Sequence, residues 1–157
     1  MHHTWTDPHG EFEISTDPSR IDVAAVHRFL TSSYWAKDIP LEAVRRSMHN
    51  SLCFVICRGS ELAGFARLIT DRTTFAYLAD VFVSEAFRGR GLSKWLMQCI
   101  FAHPELQGLR RWALVTRDAH GLYRQFGFHE LKSPERWMEL HNPSVYSPHA
   151  RETGRHE

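Results

Sequence analysis

Apolar and polar positions alternate through "EFEIST" (11–16) and a "DPS" turn follows, which predicts a first strand. In "DPSRIDVAAVHRFLTSS" the apolar residues Ile21, Val23, Ala24, Val26, Phe29 and Leu30 recur with helical period, with Asp17 or Ser19 as the cap. An aromatic loop, "YWAKDIP", leads to a second, shorter helix, "LEAVRRSMHNS" (41–51), with Pro40 just ahead of its first turn. "LCFVICR" and "LAGFARLITD", joined by "GSE", predict a hairpin with Gly59 in the turn, and "TTFAYLADVFV" (73–83) predicts another strand. Leu92, Trp95, Leu96, Cys99 and Ile100 give the spacing of an amphipathic helix over 91–103, closed by Pro104. "LRRWALVTR" then predicts a strand and "DAHGLYRQFG" a short helix ended by Gly127. "FHEL" and "RWMEL" predict two last short strands, and Trp95 and Trp112 fall on apolar faces that belong in the core.

The order β–α–α–β–β–β–α–β–α–β–β predicts an α/β (α+β) fold, a mixed sheet with helices on both faces. The strand at 73–83, the helix at 91–103 and the strand at 110–117 form a βαβ unit, so those two strands should run parallel. Residues 1–10 are expected to be a flexible N-terminus and 11–140 a single domain. The polar, aperiodic stretch 141–157 is expected to be a loosely ordered tail.

Composition adjusts this picture only locally. The formal net charge is +1, so any electrostatic function must come from a local cluster, and nucleic acid is disfavoured as a partner. No apolar run approaches the ~18 residues of a membrane span, and the start lacks the basic and apolar regions of a signal peptide. Cys53, Cys57 and Cys99 read as buried reduced thiols, which points to a cytoplasmic protein. The 11 histidines form no ligand-spaced cluster with carboxylates or cysteines, so no metal is expected.

The candidate chemistry lies in "FRGRGLSKWLM" (87–97). A helix begins there, and its first turn offers backbone N–H groups without intrahelical partners at the positive end of its dipole. Gly89 and Gly91 clear side chains from that point, while Arg88 and Arg90 add charge. Together with Leu92 and Ser93 this would cradle a diphosphate or a nucleotide 3′-phosphate. The alternative is a solvated turn with glycine chosen for its geometry. Neither a Walker loop nor a GxGxxG fingerprint is present.

"VFVSEAFRGRGLSKWLM", followed some thirty residues on by "LYRQFGF", resembles the GNAT superfamily of acetyl-CoA-dependent N-acetyltransferases. The family's R/Q-x-x-G-x-G/A signature falls on Arg88, Gly91 and Ser93. Its A-x-x-LY-x-x-x-GF pattern falls on Ala119, Leu122, Tyr123, Gly127 and Phe128. Ser93 departs from the family's Gly or Ala, and Thr116 stands where many members have an asparagine that contacts the pantetheine arm. The resemblance covers about residues 11–140 and implies a mostly antiparallel sheet, splayed between the strand ending Asp80-Val81-Phe82-Val83 and the strand at 112–117. Acetyl-CoA would lie in that gap, its carbonyl polarised by a backbone N–H and its pyrophosphate on residues 88–93.

The resemblance further implies Tyr123 as the general acid for the departing thiolate, the alternative being a tyrosine packed in the core. Asp80, the only acid on its strand, is a candidate base. By period two it shares a face with Leu78 and Phe82, apolar company that suits a carboxylate taking up a proton; it may equally hold a loop. His120 is placed to touch the cofactor, or else is a solvated helix-start residue. Tyr34 and Trp35, with Asp38, would form a wall for a cationic acceptor, or roof the core. The implied activity is direct acetyl transfer to the primary amine of a small molecule or peptide, with a homodimer as one assembly. A catalytically weak acyl-CoA-binding module is the alternative.

Overall fold

The computed structural model describes residues 1–147. Six strands form one sheet in chain order, β1 (Thr4–Thr6), β2 (Glu13–Ser15), β3 (Leu52–Arg58), β4 (Glu61–Thr70), β5 (Phe75–Val83) and β6 (Arg111–Leu114). All neighbours are antiparallel except β5 and β6, which run parallel as the βαβ unit requires. The helices are α1 (Val23–Thr31), α2 (Leu41–His49), α3 (Leu92–Ala102) and α4 (His120–Arg124).

Each face of the sheet has its own core. On one side Phe54, Ile56, Ala66, Leu68, Ala76 and Leu78 pack against Leu92, Leu96, Met97 and Ile100 of α3. On the other, Cys53, Phe65 and Phe82 meet Val26 and Leu30 of α1 and Val44 of α2. This two-sided burial explains why β3 reads as a continuous apolar run, with Leu52 to Cys57 all buried. Cys53, Cys57 and Cys99 are buried free thiols.

Several expectations are corrected. The N-terminus is tied down: β1 pairs with β2, the Thr16 N–H donates to the His3 carbonyl at 3.0 Å, and Trp5 stacks on Phe54. One tryptophan in a polar stretch is too little pattern to mark a strand, but its burial anchors one. The α1 cap is Asp22, whose carboxylate accepts from the Ala25 N–H at 3.0 Å; Asp17 caps a separate turn at Pro18–Arg20. "FHEL" and "RWMEL" form no strands, and a single 3-10 turn, Pro134–Arg136, interrupts them. Phe128 packs, partly buried, against the α3-side core, but Met138 and Leu140 are fully exposed, and Trp137 lies under the Arg111 guanidinium. Of the expected loose tail, 148–157 lies outside the described residues, while Tyr146 packs against the α1–α2 core.

Candidate active site

The site begins with a mismatch of strand lengths. β6 pairs with Phe75 to Leu78 and stops at Leu114, whereas β5 continues to Val83. From Ala79 onward β5 has no neighbour on that side, so the sheet opens as expected. Backbone groups left unpaired at such a gap are available to a ligand.

The same stretch carries a bulge. Phe65 pairs with Phe82 but Arg67 pairs with Ala79, so one residue of β4, Ala66, faces two of β5, Asp80 and Val81. The extra residue is accommodated by Asp80, whose φ of +53° is left-handed without being glycine. Such a conformation costs on the order of 1 kcal/mol or more and persists only where its surroundings hold it. Here they do. The Nε–H of Arg67 donates to Oδ2 of Asp80 at 2.7 Å, and the Trp35 indole N–H donates to Oδ1 at 2.9 Å. Arg67 is itself steadied by the Ser51 hydroxyl at 3.1 Å. The ion pair is largely shielded, with side-chain exposures of 15% for Arg67 and 10% for Asp80.

The bulge also corrects the expected face sharing. Leu78 belongs to the α3-side core and Phe82 to the α1–α2 side, because the extra residue inverts the alternation between them. Asp80 therefore keeps company with Arg67 and Trp35 rather than with an apolar pair. Phe82 stacks face to face on Phe29 at 3.8 Å between centroids, which fixes α1 against the strand beyond the bulge. Gly64 makes room for this approach: a Cβ there would stand 2.9 Å from the Phe82 carbonyl oxygen.

Beyond Val83, a 3-10 turn (Glu85–Phe87) leads to Gly89 and Gly91, at φ +78° and +75°. Gly91 is the N-cap of α3, and no atom lies within 4 Å of where a Cβ would stand on either glycine. The helix start thus opens onto a cleft of about 360 Å³, lined by Val83, Phe87, Arg88, Gly89, Gly91 and the first turn of α3 through Lys94, with Leu122 opposite. Of the residues expected to form the cradle, Arg88, Gly89, Gly91, Leu92 and Ser93 line this cleft, and Val83, from the end of β5, and Lys94 join them. Arg90 does not. Its guanidinium turns to Glu11 at 3.0 Å, beside the rings of Phe12 and Phe87.

Tyr123 is buried in α4, edge-on to Phe128 at 5.8 Å. Burial first, and then the nearby Tyr34, push its hydroxyl up to about 12. The one sealed side-chain nitrogen or oxygen without a partner among the described residues is Nε2 of His103, so the Tyr123 hydroxyl is not walled in. Thr116 accepts from the Ala119 N–H at 3.1 Å and shapes the turn into α4; His120 is exposed at its first position.

Tyr34 and Trp35 reach the gap from the α1–α2 loop. The Arg117 N–H donates to the Tyr34 hydroxyl at 3.2 Å, and the Arg117 guanidinium lies 3.9 Å over the ring, so the loop is fastened to the chain leaving β6. Asp38 is not brought to them. It lines a separate cleft with His27, Thr31, Ile39, Pro40, Leu41 and Tyr146. Reading along the chain missed Arg67, Ser51, Gly64 and Lys94. Only Gly64, a glycine inside a strand pattern, carried a local signal of close backbone approach.

The profile of the Acetyltransferase (GNAT) family matches residues 21–128. This chain belongs to that family. A protein of Gibberella zeae named "Putative acetyltransferase FG08082" is 33% identical, over 76% of this chain and 78% of that one. Among solved structures, a "putative acetyltransferase belonging to the gnat family" from Xanthomonas campestris pv. campestris is 50% identical. It superposes with a TM-score of 0.85 over 87% of this chain and 96% of the other. A "predicted acetyltransferase with acetyl-CoA" from Clostridium acetobutylicum shares the fold at 13% identity, with a TM-score of 0.56 over 90% of this chain and 96% of that one. The GNAT protein is an acyltransferase with a mixed six-stranded sheet, and among its described residues no helix is long and apolar enough to cross a membrane.

Proposed function

We propose that this GNAT protein transfers the acetyl group of acetyl-CoA to a primary amine by direct attack within a ternary complex. The observation that carries the reading is the continuity of the opened β5 edge with the cleft at the start of α3. One offers unpaired backbone to an acyl chain and its carbonyl, the other a glycine-lined helix N-terminus to a diphosphate. The donor supplies an activated acyl carbon and a thiolate leaving group.

The protein's own groups then divide the work. The first turn of α3, with Arg88 and Lys94 beside it, binds negative charge. A backbone N–H from the Asp80–Val83 run polarises the carbonyl. Tyr123, a phenol that stays protonated throughout the physiological range, donates a hydrogen bond to the sulfur as the C–S bond parts and supplies its proton. Tyr34 and Trp35 border the side from which the amine enters. Asp80 is engaged by the Arg67 guanidinium and the Trp35 indole in holding the bulge, and the amine's proton is assigned to solvent on that side. No cysteine lies in the gap to form an acyl-enzyme: Cys53, Cys57 and Cys99 are buried, and burial raises all three thiols.

Incubation with acetyl-CoA and an amine panel, with free CoA and acetylated product both measured, tests this reading. Amine-dependent release of CoA, with matching product, is the expected result. Tight acetyl-CoA binding without turnover on any amine would instead assign the protein as an acyl-CoA-binding module.

A further inference from the structure

Arg67 belongs to no motif and lies on β4, one strand removed from the gap, yet it grips the residue on which the gap is built. We propose that Arg67 is a positioning residue for acetyl transfer. Acting through Asp80, it holds the left-handed turn of the β5 bulge and so sets the heading of the Val81 and Phe82 backbone at the open edge. This rests on the acetyl-transfer reading above.

Three observations converge on it. Asp80 occupies a left-handed conformation uncommon for any residue but glycine, and it is the point where the alternation of β5 inverts. Its carboxylate is held at both ends, by Arg67 from the neighbouring strand and by Trp35 from the acceptor-side loop. Arg67 in turn spans two anchors, with Nε on Asp80 and Nη1 on Ser51, a forked arrangement that a lysine ammonium cannot reproduce. Without the clamp Asp80 relaxes toward an ordinary extended φ. The strand then regains period two, and the N–H groups beyond residue 80 turn away from the position they hold in the gap. A donor aimed at a developing charge works only if it is fixed before that charge appears. The Trp35 bond adds a consequence: the loop facing the acceptor and the backbone facing the carbonyl share one carboxylate, so disturbing either is felt by the other.

The test compares the unsubstituted protein with Arg67→Met and Arg67→Lys, each also made in an Asp80→Gly background. Without ligand, the Cα and Hα chemical shifts of residue 80 report its φ. With acetyl-CoA labelled with 13C at the carbonyl, the infrared stretch of the bound thioester reports how strongly the backbone polarises it. Arg67→Met is expected to shift residue 80 out of its left-handed signature and return the stretch toward its position in solution. It should lower kcat at least tenfold and leave acetyl-CoA affinity within threefold. Arg67→Lys should lie between. In the Asp80→Gly background, where glycine holds a positive φ unaided, the further loss on changing Arg67 should fall below threefold.

An unchanged stretch and kcat in Arg67→Met would overturn the proposal, and so would an equal loss in both backgrounds. Disappearance of the acid limb of the pH–rate profile in Asp80→Gly would overturn it too, because Asp80 would then be taking up the proton itself. Should Arg67→Met not accumulate as folded protein, Arg67→Lys carries the same comparison. An unsubstituted protein that neither binds nor turns over acetyl-CoA would sink the acetyl-transfer reading, and this proposal with it.

Discussion

The two halves of the site are built on different principles. The cleft at the start of α3 is made mostly of residues from one stretch, between Val83 and Lys94, with Leu122 opposite, and its working parts are backbone amides and missing side chains. The side proposed for the acceptor is made of side chains from distant segments: Trp35 reaches Asp80, Tyr34 reaches Arg117, and Arg67 reaches both Asp80 and Ser51. A local, backbone-made half suits a ligand that many enzymes share. A half assembled from side chains on several elements can be altered one residue at a time, and it is the natural place for specificity to reside.

The sharpest way to break this contrast is to put charge into the backbone-made half. Asp is among the residues that tolerate a positive φ, so Gly91→Asp should fold while placing a carboxylate where phosphate is expected to sit. Acetyl-CoA affinity, measured calorimetrically, should fall by about 100-fold or more, close to 3 kcal/mol. Wild-type affinity would mean that the ligand lies elsewhere.

Tyr123→Phe is the next largest effect. It removes a hydroxyl without emptying the space the ring fills, so kcat should drop by about 100-fold while acetyl-CoA binding stays within a few-fold. With the hydroxyl pushed up to about 12, no basic limb near pH 10 should come from Tyr123 in the unsubstituted enzyme. An unchanged kcat would leave Tyr123 as a packing residue alone.

Both faces of the sheet contribute to a common alkaline instability. Burial pushes Cys53 up to about 12 on the α1–α2 side, and Cys99 to about 11 and Tyr123 to about 12 on the α3 side. A folded pKa above the unfolded one means that the native state binds the proton more tightly. The stability is therefore complete below the unfolded values of 9.0 and 10.0 and is lost as pH rises toward 12. Thermal midpoints should hold steady up to about pH 8.5 and fall progressively above it, as stability drops by on the order of a few kcal/mol in total. A flat profile to pH 11 would show that these groups are more hydrated than their packing implies.

The smallest effect separates the two arginines of the glycine turn. Arg90 pairs with Glu11 outside the cleft, and both partners are more than two-fifths exposed. Arg90→Gln should change acetyl-CoA affinity less than about threefold and stability by no more than ~1 kcal/mol. A loss comparable to that of Gly91→Asp would place Arg90 on the phosphates after all.

How far the sequence reached follows the same division. The β-α-β order and the parallel pair were legible, because helical and strand periods are written in consecutive residues; the splay was implied by the family resemblance, and the glycine turn marked where a cleft opens at the start of α3. Arg90 was misplaced, since composition puts charge at the turn without saying which way a long side chain swings. The apolar alternation of "RWMEL" predicted a strand that is absent, because a pattern creates a strand only where a ladder and a buried face await it.

Asp80 shows the limit best. The sequence determined that an acid stands on the strand beside the gap. Its neighbours, its face and its partners were decided by one extra residue in the β5 register and by an arginine thirteen positions away. Local periodicity determines which residues are buried and in what order elements form, because each residue's share of that choice depends on its near neighbours. The direction of a side chain at a bulge depends on what the adjacent strand and loop bring to meet it, and only the folded chain brings them there.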